Sequence, residues 1–264
     1  MTIPNSPIAE TPGARVITVV QNGADVPLDY FSEWLDGVEL HTVRAYAGER
    51  IPVGPDEIGD GLIVLGGQMS AVDDVVAPWL PATRALLAVA SSAGVPTLGI
   101  CLGAQLLAVA RGGRLQVAAP PGYEAGVVDI GWRPEAVGDP LLDALQDLTL
   151  ADDRRSTPMP SMHGDAVVDL PRGAAWLASS AMYPYQAFRI GSAWGLQFHP
   201  EAGAELLAEW AGLHGDVDTA AVLAAYAARE PEISAAGRAI ARAFVTLVCE
   251  RADTTDLTTL TPSR

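Results

Sequence analysis

The chain has 264 residues, 49% of them hydrophobic, and carries 32 acidic against 16 basic side chains, a formal net charge of −16. Every basic residue is Arg, so chemistry that needs a lysine (Schiff bases, pyridoxal phosphate attachment, a P-loop lysine) is excluded, and the acidic balance argues against nucleic acid or anionic lipid as a partner. Two cysteines, Cys101 and Cys249, make no disulfide framework, which favours a reducing, cytoplasmic setting. Met1 to Arg15 lacks the basic start and apolar run of a signal peptide, and no stretch is apolar for long enough to span a membrane.

Residues 1–14 read as a flexible tail ahead of one domain over 15–250. Arg15 to Gln21 reads as a strand, Asp29 to Leu35 begins a helix, and Val38 to Tyr46 alternates weakly as a second strand. Gly61 to Leu65 is a short buried strand running into Gly66-Gly67. Trp79 to Ala93 has helical apolar spacing and stops at Gly94, placed as a C-terminal cap glycine. Val95 to Ile100 is strand-like and Leu102 to Ala110 helical. Strands alternating with helices in this way predict a mostly parallel central sheet with helices on both faces.

The pattern then changes. Val127 to Trp132, Ala166 to Leu170, Ala174 to Ser179, Tyr185 to Ile190 and Ala193 to Phe198 are short strands separated by turn residues, a mixed or antiparallel extension of the sheet. Helical segments follow at Glu205 to Gly212, Thr219 to Ala228 and Ser234 to Arg251, so that 215–250 forms a helical extension. Residues 251–264 read as a second flexible tail.

Gly99-Ile100-Cys101-Leu102-Gly103 lies where a strand turns into a helix. Such a turn strains the middle residue, and small residues two before and two after it relieve the crowding; this is the physics of a nucleophile elbow, with Cys in place of Ser. The sulfur would project from the carboxyl end of the sheet, beside a helix N-terminus whose partial positive charge favours an anion. The N–H of Leu102 would point into the same space and hold a developing oxyanion. An isolated cysteine is commonly a plain buried residue; the two glycines and the strand–helix switch set Cys101 apart, while Cys249, on an apolar helix, keeps the plain reading.

His199 follows the apolar run Trp194 to Phe198 and so sits at a strand end. Residues two apart on an extended segment point the same way, and Pro200 keeps His199 extended, so Glu201 would reach the ring and fix its tautomer. His41 and His214 read as surface or element-edge residues. His163, in Met162-His163-Gly164-Asp165, reads as a loop residue before a strand, either lining a pocket or making a plain turn. No HxxxH, CxxC or carboxylate cluster has metal-ligand spacing, and no cofactor is implied.

These segments resemble the class I, triad-type glutamine amidotransferases, in particular stand-alone members related to the glutaminase domain of GMP synthase. The likeness rests on the elbow at Cys101, on Gly195 to Glu201, on the glycine loop Leu65 to Ser70, and on His163-Gly164-Asp165 and Gln186 to Arg189. It implies a flavodoxin-like fold with Cys101 as nucleophile, His199 as base and acid, and Glu201 as orienter. It further implies Gly67 and Leu102 as oxyanion donors, and Gly66, Gln105, His163 and Asp165 around the substrate. Gln68 stands where Pro is common, and Met162 where an aromatic is common.

The implied reaction is hydrolysis of the glutamine side-chain amide through a thioester, with ammonia passed to a separate ATP-dependent synthetase, since no ATP-binding signature is present in the chain. Two alternatives remain: a stand-alone γ-glutamyl hydrolase or peptidase using the same triad, and a non-catalytic regulatory module of the same fold.

Overall fold

The computed structural model describes residues 14–143, 145 and 156–259. Eleven strands and five helices among these residues carry the fold. In chain order they are β1 (Val16–Gln21), α1 (Phe31–Trp34), β2 (Glu39–Arg44), β3 (Gly61–Val64), α2 (Leu80–Ser92), β4 (Thr97–Ile100) and α3 (Leu102–Ala110). There follow β5 (Arg114–Gln116), β6 (Glu124–Trp132), β7 (Ser156–His163), β8 (Ala166–Asp169), β9 (Ala175–Ser179), β10 (Ala187–Ile190), β11 (Ala193–Leu196), α4 (Ala204–Gly212) and α5 (Thr219–Thr259).

Nine strands form one sheet in the order β2-β1-β3-β4-β11-β10-β9-β6-β7. From β2 to β11 every neighbouring pair is parallel, and from β11 to β7 every pair is antiparallel. The mostly parallel sheet with an antiparallel extension is therefore as expected.

Alternation along the central strands sends side chains to two faces. Ile17, Val19, Ile63 and Leu98 pack with Phe31 of α1 and with Ile240, Phe244 and Val248 of α5. Val20, Leu62 and Val64 pack on the other face with Leu86 and Leu87 of α2 and Leu106 and Leu107 of α3. A third apolar cluster joins Leu207, Trp210, Val222 and Tyr226 to Val26 and Met162.

Several boundaries differ from the sequence reading, each for a physical reason. The helix expected from Asp29 shrinks to the single turn of α1, because Asp29 adopts a positive φ of 43°. The strand at 166–170 leaves the main sheet: β8 pairs with β5 in a separate two-stranded ribbon. His163 is not a loop residue but the last residue of β7, a strand with Pro158 and Pro160 inside it. Proline cannot donate to a ladder and is confined to edges, and β7 is the sheet edge. The two prolines share one side of the strand, and on that side the Pro160 carbonyl accepts from the His199 N–H at 2.8 Å.

The two helices expected at 219–228 and 234–251 are one, with Pro231 inside it, and it runs to Thr259 through part of the segment read as a tail. An interior proline costs roughly 3 kcal/mol. The apolar contacts of Tyr226, Ile233, Ile240, Phe244 and Val248 hold the helix on both sides of it. Residues 1–13 and 260–264 of the two expected tails lie outside the described residues.

Candidate active site

β4 ends at Ile100 and α3 begins at Leu102, leaving Cys101 alone at the turn with φ 50° and ψ −105°. Few non-glycine residues adopt a positive φ, and one at a strand–helix junction is held by its surroundings. The Cys101 N–H donates to the Leu196 carbonyl at 2.7 Å, extending the β4–β11 pairing by one residue. The flanking glycines are required by space. A Cβ on Gly103 would lie 2.0 Å from the Val64 carbonyl oxygen, and one on Gly99 would lie 2.5 Å from that of Gly103. The elbow thus closes only because α3 approaches β3 and β4 backbone to backbone.

β11 delivers the second group. After Leu196 the chain runs through Gln197, whose N–H donates to Gln186, to His199, anchored on Pro160 as described. Glu201 is fully buried, and its Oε1 lies 2.7 Å from His199 Nδ1. Burial is the largest single influence on the imidazole and pushes its pKa down; the charges of Glu201 and Cys101 and their hydrogen bonds push it further up, to about 10.

Cys101 and His199 meet around Gly66. A Cβ there would be 3.1 Å from His199 Cε1 and 3.6 Å from Cys101 Cβ. Gly67 faces Leu102 as closely, since its Cβ would sit 2.7 Å from Leu102 Cδ2. The site residues expected from the strand ends are therefore brought together: Cys101, His199, Glu201, Gly66, Gly67 and Leu102.

A cleft of about 350 Å³ opens from Cys101 and is lined by Gly67, Ser70, Gln105, His163, Asp165 and Tyr123, among others. Gln105 is buried, and its Nε2 donates both to the Asp165 carbonyl at 3.0 Å and to Gln197 Oε1 at 3.1 Å. Its amide hydrogens are thereby spent within the protein, which leaves Oε1 as the atom for a ligand. Asp165 Oδ1 accepts from the Ala118 N–H at 2.9 Å.

His163 sits between two acceptors: Nδ1 is 3.0 Å from the Asp165 carbonyl and Nε2 is 3.1 Å from Glu124 Oε2. Glu124 is itself buried and gathers Ser180 at 2.6 Å on Oε1 and Gln186 at 2.6 Å on Oε2. Burial is the largest influence on this carboxyl and raises its pKa, but hydrogen bonds from His163, Ser180 and Gln186 more than offset it and hold the pKa below the usual value.

Other contributors carried no motif. Asn22, fully buried after β1, donates to the Leu65 carbonyl at 2.8 Å and accepts from Trp79 Nε1 at 3.1 Å, bracing the glycine loop. Asp29 Oδ2 accepts from the Gly203 N–H at 2.7 Å, and the Tyr30 N–H donates to the Glu201 carbonyl at 3.2 Å, so the turn after β1 also fixes the Glu201 segment. Trp210 of α4 lies against the His199 ring with centroids 4.5 Å apart. Gly237 of α5 lets the helix press on this segment, for a Cβ there would be 2.2 Å from the Pro200 carbonyl oxygen. His214, expected at the surface or at an element edge, stands just after α4 and lines the space over Cys101 together with Tyr123. The signals were single residues far apart in sequence, which no local spacing could join.

Among the described residues no group of three or more His, Cys, Asp and Glu side chains is placed to hold a metal ion, and no helix is long and apolar enough to cross a membrane.

Comparison with known proteins gives the family. The GMP synthase (glutamine-hydrolysing) of Thermomicrobium roseum is 36% identical over 183 residues, covering 67% of this chain and 31% of that protein. That of Nitrosococcus oceani is 33% identical over 143 residues, covering 53% of this chain and 25% of that protein. The chain thus spans less than a third of the length of these relatives. Among solved structures, a glutamine amidotransferase from Thermotoga maritima superposes with a TM-score of 0.74 at 23% identity, covering 88% of this chain and 98% of that one. One from Methylobacillus flagellatus gives 0.75 at 24%, covering 89% and 96%; these two show a shared fold. The model of the family described as glutamine amidotransferase class-I matches residues 36–207, about two thirds of the chain, and the chain belongs to that family.

Proposed function

We propose that this domain hydrolyses the side-chain amide of glutamine through a γ-glutamyl thioester on Cys101 and passes the ammonia to a separate ATP-dependent synthetase. The observation that carries the reading is the strained elbow of Cys101 placed across Gly66 from a buried His199–Glu201 pair.

The Cys101 sulfur attacks the amide carbon while His199 holds the thiol proton. In this reading the oxygen takes up negative charge opposite the N–H groups of Gly67 and Leu102. His199 gives its proton to the nitrogen, the C–N bond breaks, and ammonia leaves a thioester. Water then attacks the thioester carbon, its proton passes to His199 and on to sulfur, and glutamate departs. Glu201 supports the charged ring at both stages, which the raised pKa of His199 reflects. Gln105 Oε1 suits the α-ammonium of glutamine, and the His163–Asp165 segment shapes the wall at that end.

The GMP synthases named above pair glutamine hydrolysis with a synthase activity in their names, and that pairing supports a synthetase as partner. A subunit that cut glutamine freely would waste it, so the isolated chain should be slow until a synthetase orders the loop at 66–70. Glutamate release by the purified chain is the measurement, followed by peptide mapping after treatment with an electrophilic glutamine analogue. Label on Cys101 is expected. Label on Cys249 would remove the nucleophile assignment, and vigorous partner-free turnover of another γ-glutamyl compound would replace the amidotransferase reading with a γ-glutamyl hydrolase.

A further inference from the structure

Three spaces meet at one pair of side chains. The first is a pocket of about 20 Å³ over the reacting groups, lined by Cys101, His199, Met162, Val26 and Trp210. On this measure one probe-sized molecule needs roughly 10–15 Å³, so the pocket admits a group the size of water or ammonia. The second is the 350 Å³ cleft that leads to Gln105 and Asp165. The third is a larger cleft of about 930 Å³, lined by Val127, Val128, Ala181, Met182 and Val222, among others. Tyr123 and His214 line all three.

The two residues touch. Tyr123 Oη lies 2.9 Å from His214 Nε2, and their ring centroids are 4.5 Å apart. Tyr123 stands just before β6, and His214 stands in the turn between α4 and α5, so the contact links segments 91 residues apart. Tyr123 is exposed and His214 half-buried, as a wall at a mouth is.

We propose that the Tyr123–His214 pair is a size filter for the leaving group, confining the nitrogen side of the γ-glutamyl amide to the small pocket and so selecting the primary amide over N-substituted γ-glutamyl amides. The inference rests on the glutaminase reading for its substrate. With the amino-acid end of the substrate in the cleft toward Gln105, the departing nitrogen faces His199 in the small pocket. Tyr123 and His214 are the residues that the small pocket shares with the 930 Å³ cleft, so an ethyl or larger substituent that enters that cleft passes between them. Closed, the pair makes the enzyme selective for glutamine; opened, it joins the small pocket to a space that holds an alkyl or aryl amine.

The test measures kcat/KM for glutamine and for γ-glutamyl ethylamide with the wild type, His214→Ala and Tyr123→Ala. In parallel it follows alkylation of Cys101 by iodoacetamide and by its bulkier N-phenyl analogue. The wild type should discriminate strongly on both counts. Either substitution should raise the ethylamide-to-glutamine ratio, and the N-phenyl-to-unsubstituted alkylation ratio, by about tenfold or more, as one to two added contacts' worth of exclusion is lost. Unchanged ratios in both variants would overturn the filter, as would a wild type that cleaves the ethylamide as readily as glutamine. If the chain hydrolyses neither amide, the glutaminase reading fails, and the alkylation ratios alone decide whether the pair gates Cys101.

Discussion

The two halves of the sheet build the site by different means. In the parallel half, β2 to β11, reactive groups are placed by backbone: Cys101 and His199 both follow strand ends, and Gly99 and Gly103 let chains approach until a single Cβ would not fit. In the antiparallel half, β10 to β7, groups are placed by side chains: Glu124 alone collects His163, Ser180 and Gln186. The difference teaches where function tolerates change. Backbone placement fixes the nucleophile with no freedom to adjust, whereas a side-chain network sets a pocket wall that substitution can reshape. The largest effects should therefore fall on the parallel half, and the subtler, substrate-dependent ones on the other.

Cys101→Ser and His199→Ala test the first half directly. Each should lower glutamate release about a thousandfold or more, as loss of a nucleophile or a proton-transferring group does, in variants whose circular dichroism matches the wild type. Retention of near wild-type turnover by His199→Ala would move the base elsewhere and undo the contrast between the halves.

A paired glycine test compares packing rather than chemistry. Gly103→Ala puts a Cβ 2.0 Å from the Val64 carbonyl, and Gly131→Ala, in β6, puts one 3.5 Å from the Ser179 carbonyl, ordinary contact. Overpacking costs about 1–3 kcal/mol or more, so Gly103→Ala should lower the midpoint of denaturant unfolding markedly and Gly131→Ala scarcely at all. Equal losses would show the two halves to be packed alike.

Glu201→Gln probes the electrostatics of the first half. His199 is raised to about 10 with help from the Glu201 charge. A histidine raised in the folded state stabilises it fully below its ordinary value of 6.5, and that stability is lost as pH rises through about 10. The stability gap between the wild type and Glu201→Gln should thus be open at neutral pH and close toward pH 10. The ring resonances of His199 should titrate at lower pH in the variant. Activity should fall less than in His199→Ala, because Glu201 supports the ring without transferring the proton itself.

The same contrast explains what was legible in the sequence. Local rules place Cys101 and His199: a strand followed by a helix with flanking glycines, and a strand end followed by Pro200. Both motifs occupy a few consecutive residues, so the alternation of apolar runs sufficed to locate them. The alternating pattern likewise gave the parallel half of the sheet. β7 escaped because Pro158 and Pro160 break the strand pattern, and only its edge position, a property of the whole sheet, makes them acceptable. α5 reads in sequence as two helices because Pro231 is locally a stop, overridden in the fold by contacts with the core. Tyr123, Glu124 and His214 carry no local pattern; their meaning comes from partners 39 to 91 residues away.

Glu124→Gln is the smallest and sharpest of these perturbations. The side chain keeps its shape, but the carboxylate that accepts from His163, Ser180 and Gln186 becomes an amide with one acceptor oxygen, so its NH₂ must face a donor. An unsatisfied buried group costs about 1–3 kcal/mol. The pKa of Glu124 is held below its usual 4.5, so its contribution to stability is present above that pH and is lost as pH falls through the lower folded value. The gap between wild type and variant should therefore be full at neutral pH and narrow in acid. In catalysis the change reaches only the wall: His163 loses its anchor, while Cys101, His199 and Glu201 keep all their bonds. KM for glutamine should rise several-fold to tenfold with kcat nearly constant, and alkylation of Cys101 by iodoacetamide should keep its rate. A fall in kcat at constant KM would mean that the antiparallel half also shapes the transition state, and that the division between a rigid reacting half and an adjustable binding half does not hold.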